Sequence, residues 1–311
     1  MSRITSIGGQ ALLDGIMMRG PLKTTAAFCD KDGNITTEDI EIDFISKKCR
    51  LFRLPVIRGL FNFIDSMRLG TKALNLSAEK IDLEEEETAE PGKFEKWLTD
   101  KLGDKLMGII VGVGSVLGVG LAIVLFMLVP SLLFDAVKHF AGDGIEPLRS
   151  AFEGVLKLIV FVLYIWGVSF IPDIRKTFQY HGAEHKCIFC YENELDLTVE
   201  NVRKQSRLHP RCGTSFMVLM ILIGIFIGFF IKIQNPIFRT GVKLLTLPLV
   251  MGIGYEVLKY CGKHNNVFTR IAAAPGKWLQ KLTTKEPDDR MIATAIEAMK
   301  AVIPENGEDL L

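Results

Sequence analysis

Hydrophobic positions change their period three times along the chain. Between Gly8 and Phe44 they come in short runs separated by turn residues: Gly8 and Gly9 open a run from Ala11 to Met18, and Thr24–Cys29 and Ile35–Phe44 flank the turn at residues 30–34. In the second arm Ile40, Ile42 and Phe44 alternate with Asp39, Glu41 and Asp43, the period of a half-buried strand, so residues 1–50 are expected to contain a β-hairpin. From Leu54 to Leu76 the spacing becomes helical, with Leu54, Ile57, Leu60, Phe61, Ile64, Met67 and Leu74 against Arg53, Arg58, Arg68 and Lys72. Residues 51–78 therefore read as an amphipathic helix, either lying on a membrane surface or packed on the hairpin. The glutamates at positions 84–87, with Glu90, Pro91 and Gly92, mark residues 79–106 as an acidic linker and lead-in helix.

Then the apolar runs lengthen. Met107–Phe134, Phe152–Ile171, Phe216–Ile233 and Val242–Tyr260 each approach or exceed the roughly 20 residues that a helix needs to cross about 30 Å of hydrocarbon. The expected fold class is thus mainly α, a four-helix transmembrane bundle over residues 107–261, with a small β-containing N-terminal region and a helical tail over residues 262–311. Gly108/Gly112 and Gly114/Gly118 have the spacing that lets helix backbones approach closely. In the tail, residues 275–282 suggest a short interfacial helix carrying Trp278. Pro287 opens a second helix with a stripe of Met291, Ile292, Ala295, Ile296, Met299 and Val302.

Composition supports a membrane protein. The 311 residues are 49% hydrophobic, with 37 basic against 36 acidic side chains, so no net field draws the chain to nucleic acid, and membrane lipids are the expected surroundings. Met1–Gln10 has Arg3 but no apolar core and cleavage site, and no secretory signal is expected. Basic residues crowd the regions before the first run, between the second and third, and after the fourth, whereas the other two connections offer few. That bias places both termini and residues 172–215 on the cytoplasmic side of a cell membrane. Six cysteines there would stay reduced and free to bind metal.

The chemistry-bearing residues gather between Pro172 and Ser215. Three of the five histidines, His181, His185 and His209, lie here with Glu184, Cys187, Cys190 and Cys212. If Pro172 starts a helix, His181 and His185 are one turn apart and can hold one ion, and the order His-x-x-Glu-His is that of inverted zinc hydrolases, in which the Glu takes a proton from water. A further ligand must come from elsewhere. Glu256, a carboxylate inside an apolar run, His209 and Cys212 are the candidates. A competing arrangement takes Cys187 and Cys190 with His209 and Cys212 as a closed structural zinc knuckle.

Residues 8–21, 181–186, 209–216 and 278–289 together make the chain resemble the YqhQ family of bacterial membrane proteins, over nearly its full length. The family is described as a predicted metal-dependent enzyme, so the resemblance implies a site but no substrate. His181, Glu184, His185, His209 and Cys212 fall within its motifs, whereas Cys187 and Cys190 do not. Asp14 and Arg19 lie in the N-terminal motif, as substrate contacts or as an internal ion pair. The expected function is a hydrolase dependent on zinc or another divalent transition metal, acting on a membrane peptide or a lipid-linked substrate. The assignments are Glu184 as the general base and His181, His185, Glu256, His209 and Cys212 as the ligand candidates. The alternative is a non-catalytic membrane scaffold with a structural metal.

Overall fold

The computed structural model describes residues 4–86, 105–264 and 266–309, which form two compact units. The first gathers the described parts of residues 1–78, 162–223 and 247–311. At its centre is a four-stranded antiparallel meander, β1 (Gly8–Leu12), β2 (Gly15–Arg19), β3 (Thr24–Cys29) and β4 (Ile35–Asp39), in the order β1-β2-β3-β4. The expected hairpin is its second half. The run from Ala11 to Met18 is two strands rather than one, joined by a tight turn in which Asp14 takes a left-handed backbone (φ 49°), a conformation that Asp tolerates better than most residues.

β2 and β3 are covered on both faces, which is why they lack the alternation of a half-exposed strand. On one face Ile16, Met18 and Ala27 pack with α6 (Pro172–Glu192) and α11 (Asp289–Val302), whose stripe of Met291, Ile292, Ala295, Ile296, Met299 and Val302 is entirely buried here. On the other, Leu12, Met17, Ala26 and Phe28 meet Leu69 and Ala73 of α2 (Ile57–Glu86). The amphipathic helix is therefore a packing partner of the sheet, preceded by the short α1 (Ile45–Lys48). Asp65 of α2 is 1% exposed, and its two carboxylate oxygens accept the N–H groups of Ile45 and Ser46, both at 2.9 Å. Further along this unit, a Cβ on Gly59 of α2 would come within 2.8 Å of Gly252, so the two helices meet at a pair of glycines.

The second unit takes the described parts of residues 79–161 and 224–246. α3 (Lys105–Ile123) continues through a π turn at Val124–Leu128 into α4 (Val129–Ala141), and the turn lies just before Pro130, which has no N–H for the helical ladder. α5 (Arg149–Val168) and α9 (Pro236–Lys263) begin in this unit. Glu153, 2% exposed, is surrounded by Arg149, Arg239 and Lys243, so the basic residues of these connections are neutralised internally. Gly112, Gly114, Gly118 and Gly120, expected at helix contacts, have no neighbour among the described residues. α2 extends to Glu86, into the stretch expected as an acidic linker, and residues 87–104 lie outside the described residues.

Three helices among the described residues are long and apolar enough to cross a membrane, Gly112–Ala141, Asp143–Val168 and Pro236–Lys263, and they mark the chain as a membrane protein. This corrects the expectation of four. The run at Phe216–Ile233 forms α8 (Gly213–Gly228), 16 residues or about 24 Å, and ends before the hydrocarbon thickness is covered. Its polar continuation is not left bare, because the Arg239 guanidinium donates to the carbonyls of Gly228, Ile231 and Ile233. α9 then restarts behind Asn235, whose side chain caps Ile237 at 3.0 Å.

Asp65→Ala removes two charged acceptors from the segment that leads into α1. It is expected to lower the unfolding free energy by about 1–3 kcal/mol, seen as a lower thermal midpoint by circular dichroism; an unchanged midpoint would show that other contacts hold this segment.

Candidate metal centre

α6 is built to carry side chains into a crowded interior. Pro172 occupies its first turn with Asp173, the residue types that suit the donor-rich start of a helix. Nine residues on, Gly182 lets the chain at 283–287 lie directly on the helix: a Cβ there would overlap the Lys285 carbonyl, and Lys285 N–H donates to Phe178 O at 2.8 Å. This contact brings the Thr283 carbonyl to His181, whose Nδ1 lies 2.9 Å from it. From another direction the loop at 203–212 is strapped down by Lys186, which donates to Arg203 O at 2.9 Å and pairs with Glu286 at 2.9 Å. The Arg207 carbonyl thereby reaches His185 Nδ1 at 2.5 Å.

Both rings are thus oriented by main-chain carbonyls. A carbonyl can only accept, so each Nδ1 carries the proton and each neutral ring keeps its lone pair on Nε2. Cys212 stands just before α8, where Thr214 N–H donates to its sulfur at 3.4 Å, and His181 Nε2 lies 3.1 Å from that sulfur. The two rings stand edge to face with centroids 4.4 Å apart, and His185 Nε2 is buried with no hydrogen-bond partner. One ligand atom from each of His181, His185 and Cys212 falls within a 4.8 Å group. Two imidazoles and a thiolate are a donor set that suits zinc, and tetrahedral bonds of ordinary length would put such atoms roughly 3.3–3.6 Å apart. The residues present fit a divalent transition metal after small side-chain adjustments.

The remaining candidates have other partners. Glu184 is 6% exposed and its Oε1 accepts the Gly9 N–H at 2.9 Å; burial raises its pKa, against the weaker pull of His181 and of this hydrogen bond. His209 uses both ring nitrogens, Nδ1 accepting Arg211 N–H at 3.3 Å and Nε2 lying 3.4 Å from Glu192, which leaves no lone pair for a metal. Glu256 is held by Arg58, with Nε at 2.6 Å, and by the Val56 N–H at 3.2 Å, so the cost of a carboxylate in an apolar helix is met by an ion pair. Cys187 and Cys190 are fully buried in the sheet–helix core and donate to carbonyls, with burial raising both thiol pKa values; no knuckle forms with Cys212. Asp14 pairs with Lys176 at 2.8 Å and not with Arg19.

Comparison with known proteins agrees with the resemblance read from the motifs. A family model described as "Protein of unknown function (DUF1385)" matches residues 54–305. The chain belongs to the DUF1385 family. It is 36% identical over 299 residues to "Uncharacterized protein YqhQ" of Bacillus subtilis (strain 168), a match covering 95% of this chain and 92% of that protein. No solved structure matches.

Behind the centre of this DUF1385 chain is a polar cluster that motif reading missed. Glu192, 7% exposed, accepts the Thr5 N–H at 3.0 Å and pairs with Arg211, which also donates to Thr5 O at 2.9 Å. Thr5 Oγ1 donates to Asp309 at 2.7 Å, so both ends of the chain are tied to the His209 stretch. Gln280, fully buried, completes the support by accepting from His209 N at 2.8 Å and donating to His209 O at 2.7 Å. Charged residues at unremarkable spacing give no sequence signal for such a cluster.

Burial holds the His209 imidazole neutral, with its pKa pushed down to about 4; the Glu192 hydrogen bond opposes this and the Arg211 charge adds to it. An unfolded histidine titrates near 6.5, so between about 6.5 and 4 the unfolded chain takes up a proton that the native chain refuses. Stability is complete above pH 6.5 and falls below it, by up to about 3 kcal/mol near pH 4. Unfolding midpoints measured from pH 7 to pH 5, where Glu192 stays ionised, should decline in the native protein, and the decline should be shallower in His209→Gln. Equal slopes would remove His209 as the cause. Gly182→Ala should push the 283–287 segment off α6 and cost about 1–3 kcal/mol, with His181 losing its Thr283 contact. A variant as stable as the native protein would contradict the close packing.

Proposed function

We propose that this chain is a metal-dependent hydrolase of the cytoplasmic membrane face, with His181, His185 and Cys212 as the ligands of zinc or a similar divalent ion and Glu184 as general base. The observation that supports it is the pair of imidazoles whose Nδ1–H groups are committed to the Thr283 and Arg207 carbonyls, leaving both Nε2 lone pairs beside the Cys212 sulfur. Ligating histidines are characteristically fixed in this way through their second nitrogen. When bound, the ion supplies a Lewis acid that brings the pKa of water to about 7. Three protein ligands leave a fourth position for substrate or water, which separates a catalytic site from a closed structural one.

Glu184 directly precedes His185 on the same helix. The Gly9 N–H fixes one of its oxygens, and Gly9 has no side chain to stand in the way: a Cβ would lie 3.0 Å from the Glu184 carboxyl carbon. A pKa raised by burial moves the carboxyl toward the neutral range in which a general base is most effective.

Packing of β2, α6 and α11 in one core supports a single membrane side for the N-terminal sheet, the centre and the tail. The basic residues near the centre favour the cytoplasm as that side. A substrate that reaches it from the bilayer, a membrane peptide or a lipid-linked molecule, suits this placement.

The protein purified in detergent should carry about one equivalent of metal, measured by plasma mass spectrometry. His181→Ala, His185→Ala and Cys212→Ala should each reduce it severalfold, while Glu184→Gln should keep the metal and lose cellular function by 10²-fold or more. Metal retained in all three ligand variants would exclude the centre. A fully functional Glu184→Gln would leave a scaffold with a structural metal.

A further inference from the structure

A second site lies on the α2 face of the sheet, the face opposite the His/Cys centre. A cavity of about 880 Å³ opens between β1 and β2, the 39–47 segment and α2, with Tyr255 of α9 on its wall. That is the size of a small-molecule site. Arg19 projects from β2 on the same face as Met17, and its guanidinium stacks on the Phe44 ring at 4.5 Å. Lys47 approaches the same ring, its Nζ 5.0 Å from the centroid.

Neither cation makes a close ion pair among the described residues, and Arg19 feels the Asp65 carboxylate and Tyr255 only at longer range. The nearest buried acid, Asp65, is already committed to the N–H groups of Ile45 and Ser46 and to Arg68 at 3.6 Å. Asp39 on the rim is held by Thr25 at 2.6 Å and Lys23 at 3.5 Å. Glu41 is the one other lining carboxylate, so two cations face one acid. Asn62, Ser66 and Tyr255 also line the cavity, and among the described residues their side chains make no hydrogen bond. With Glu41 as the one acid left to them, the half-buried Arg19, Lys47 and the side chains of Asn62, Ser66 and Tyr255 line one cavity, a set of donors that suits a group with several acceptor oxygens.

We propose that this cavity binds a phosphate-bearing ligand, with the Arg19 guanidinium as its principal contact and Lys47, Asn62, Ser66 and Tyr255 as further donors. The planar fork of arginine matches two phosphate oxygens, and lysine adds a point charge. Carboxylates would satisfy the arginine but leave most of the other donors unused. One part of the rim is apolar, with Leu22 72% exposed beside Pro21, and Tyr255 comes from a helix long enough to cross a membrane. Such a site takes either the headgroup of an anionic lipid or a soluble phosphate compound. Gly9 lines this cavity too, and it is the residue whose N–H holds Glu184.

The test is isothermal titration of the full chain in detergent, with chelator present so that the outcome is independent of the metal centre. The probes are dioctanoyl phosphatidic acid, dioctanoylglycerol, glycerol 3-phosphate and inorganic phosphate. Phosphatidic acid is expected to bind and dioctanoylglycerol not to bind, with affinity falling at least tenfold in Arg19→Gln and severalfold in Lys47→Gln. Binding by phosphatidic acid alone identifies a lipid headgroup; equal, Arg19-dependent binding of the soluble phosphates identifies a free phosphate compound. If Arg19→Gln fails to fold, Lys47→Gln decides, because Lys47 is exposed and its loss does not disturb packing. The proposal is overturned if no phosphate probe binds the native chain, if dioctanoylglycerol binds as well as phosphatidic acid, or if binding is unchanged in Lys47→Gln and in a folded Arg19→Gln.

Discussion

From Tyr180 onward α6 has almost no face left to solvent, and that constraint organises the first unit around it. Its turns from Tyr180 to Cys190 are buried by the sheet on one side, the 283–287 segment on another and the 203–212 loop on a third. A helix enclosed in this way must find partners for every polar side chain it carries, because an unpaired buried group costs about 1–3 kcal/mol. Glu184 finds the Gly9 amide, His181 the Thr283 carbonyl, Lys186 the Arg203 carbonyl and Glu286. His185 is satisfied on one nitrogen only. That second nitrogen lies where His181 and Cys212 converge, at the position of the proposed metal.

The same rule explains which acids and bases are excluded from the centre. A carboxylate or imidazole in an apolar setting settles with whatever charge or dipole the fold brings nearest. Glu256 meets Arg58 across the α2–α9 crossing, and His209 is neutral between Arg211 and Glu192. Each would need to break an existing arrangement to ligate a metal. In the second unit Glu153 gathers Arg149, Arg239 and Lys243 for the same reason. Charges that looked from their positions like topology signals or ligands are structural where a counter-charge is within reach. Arg19 and Lys47 stand apart from this pattern, since their company is an aromatic ring and not an acid.

Glycines set how closely the parts can approach, and through that where donors end up. Gly182 admits the Lys285 carbonyl, and so places Thr283 over His181; Gly9 admits Glu184 against the edge strand; Gly59 and Gly252 let two helices touch. Their role is geometric rather than chemical. A methyl group at any of these positions would move a packed element by more than a hydrogen bond tolerates.

Much of this protein was legible in the residues taken one after another. Period and length alone marked the strand at Thr24–Cys29, the helix beyond Ile57, the apolar stripe of α11 and the long membrane helices, because these depend on local spacing and summed hydropathy; the arm expected from Ile35 to Phe44 is a strand only to Asp39, and the alternating Ile40, Ile42 and Phe44 lie beyond it. The helical spacing of His181 and His185 followed from the same local geometry. Tertiary structure decided what local spacing does not contain. It split the run at Ala11–Met18 into two strands, since burial on both faces erases alternation, and it shortened the third apolar run to α8, since a chain break depends on Arg239 being present to cover the carbonyls. It chose Cys212 over His209 and Glu256 as the companion of the two histidines, because that choice rests on which counter-charges and carbonyls lie within about 3 Å, and those come from segments up to two hundred residues away.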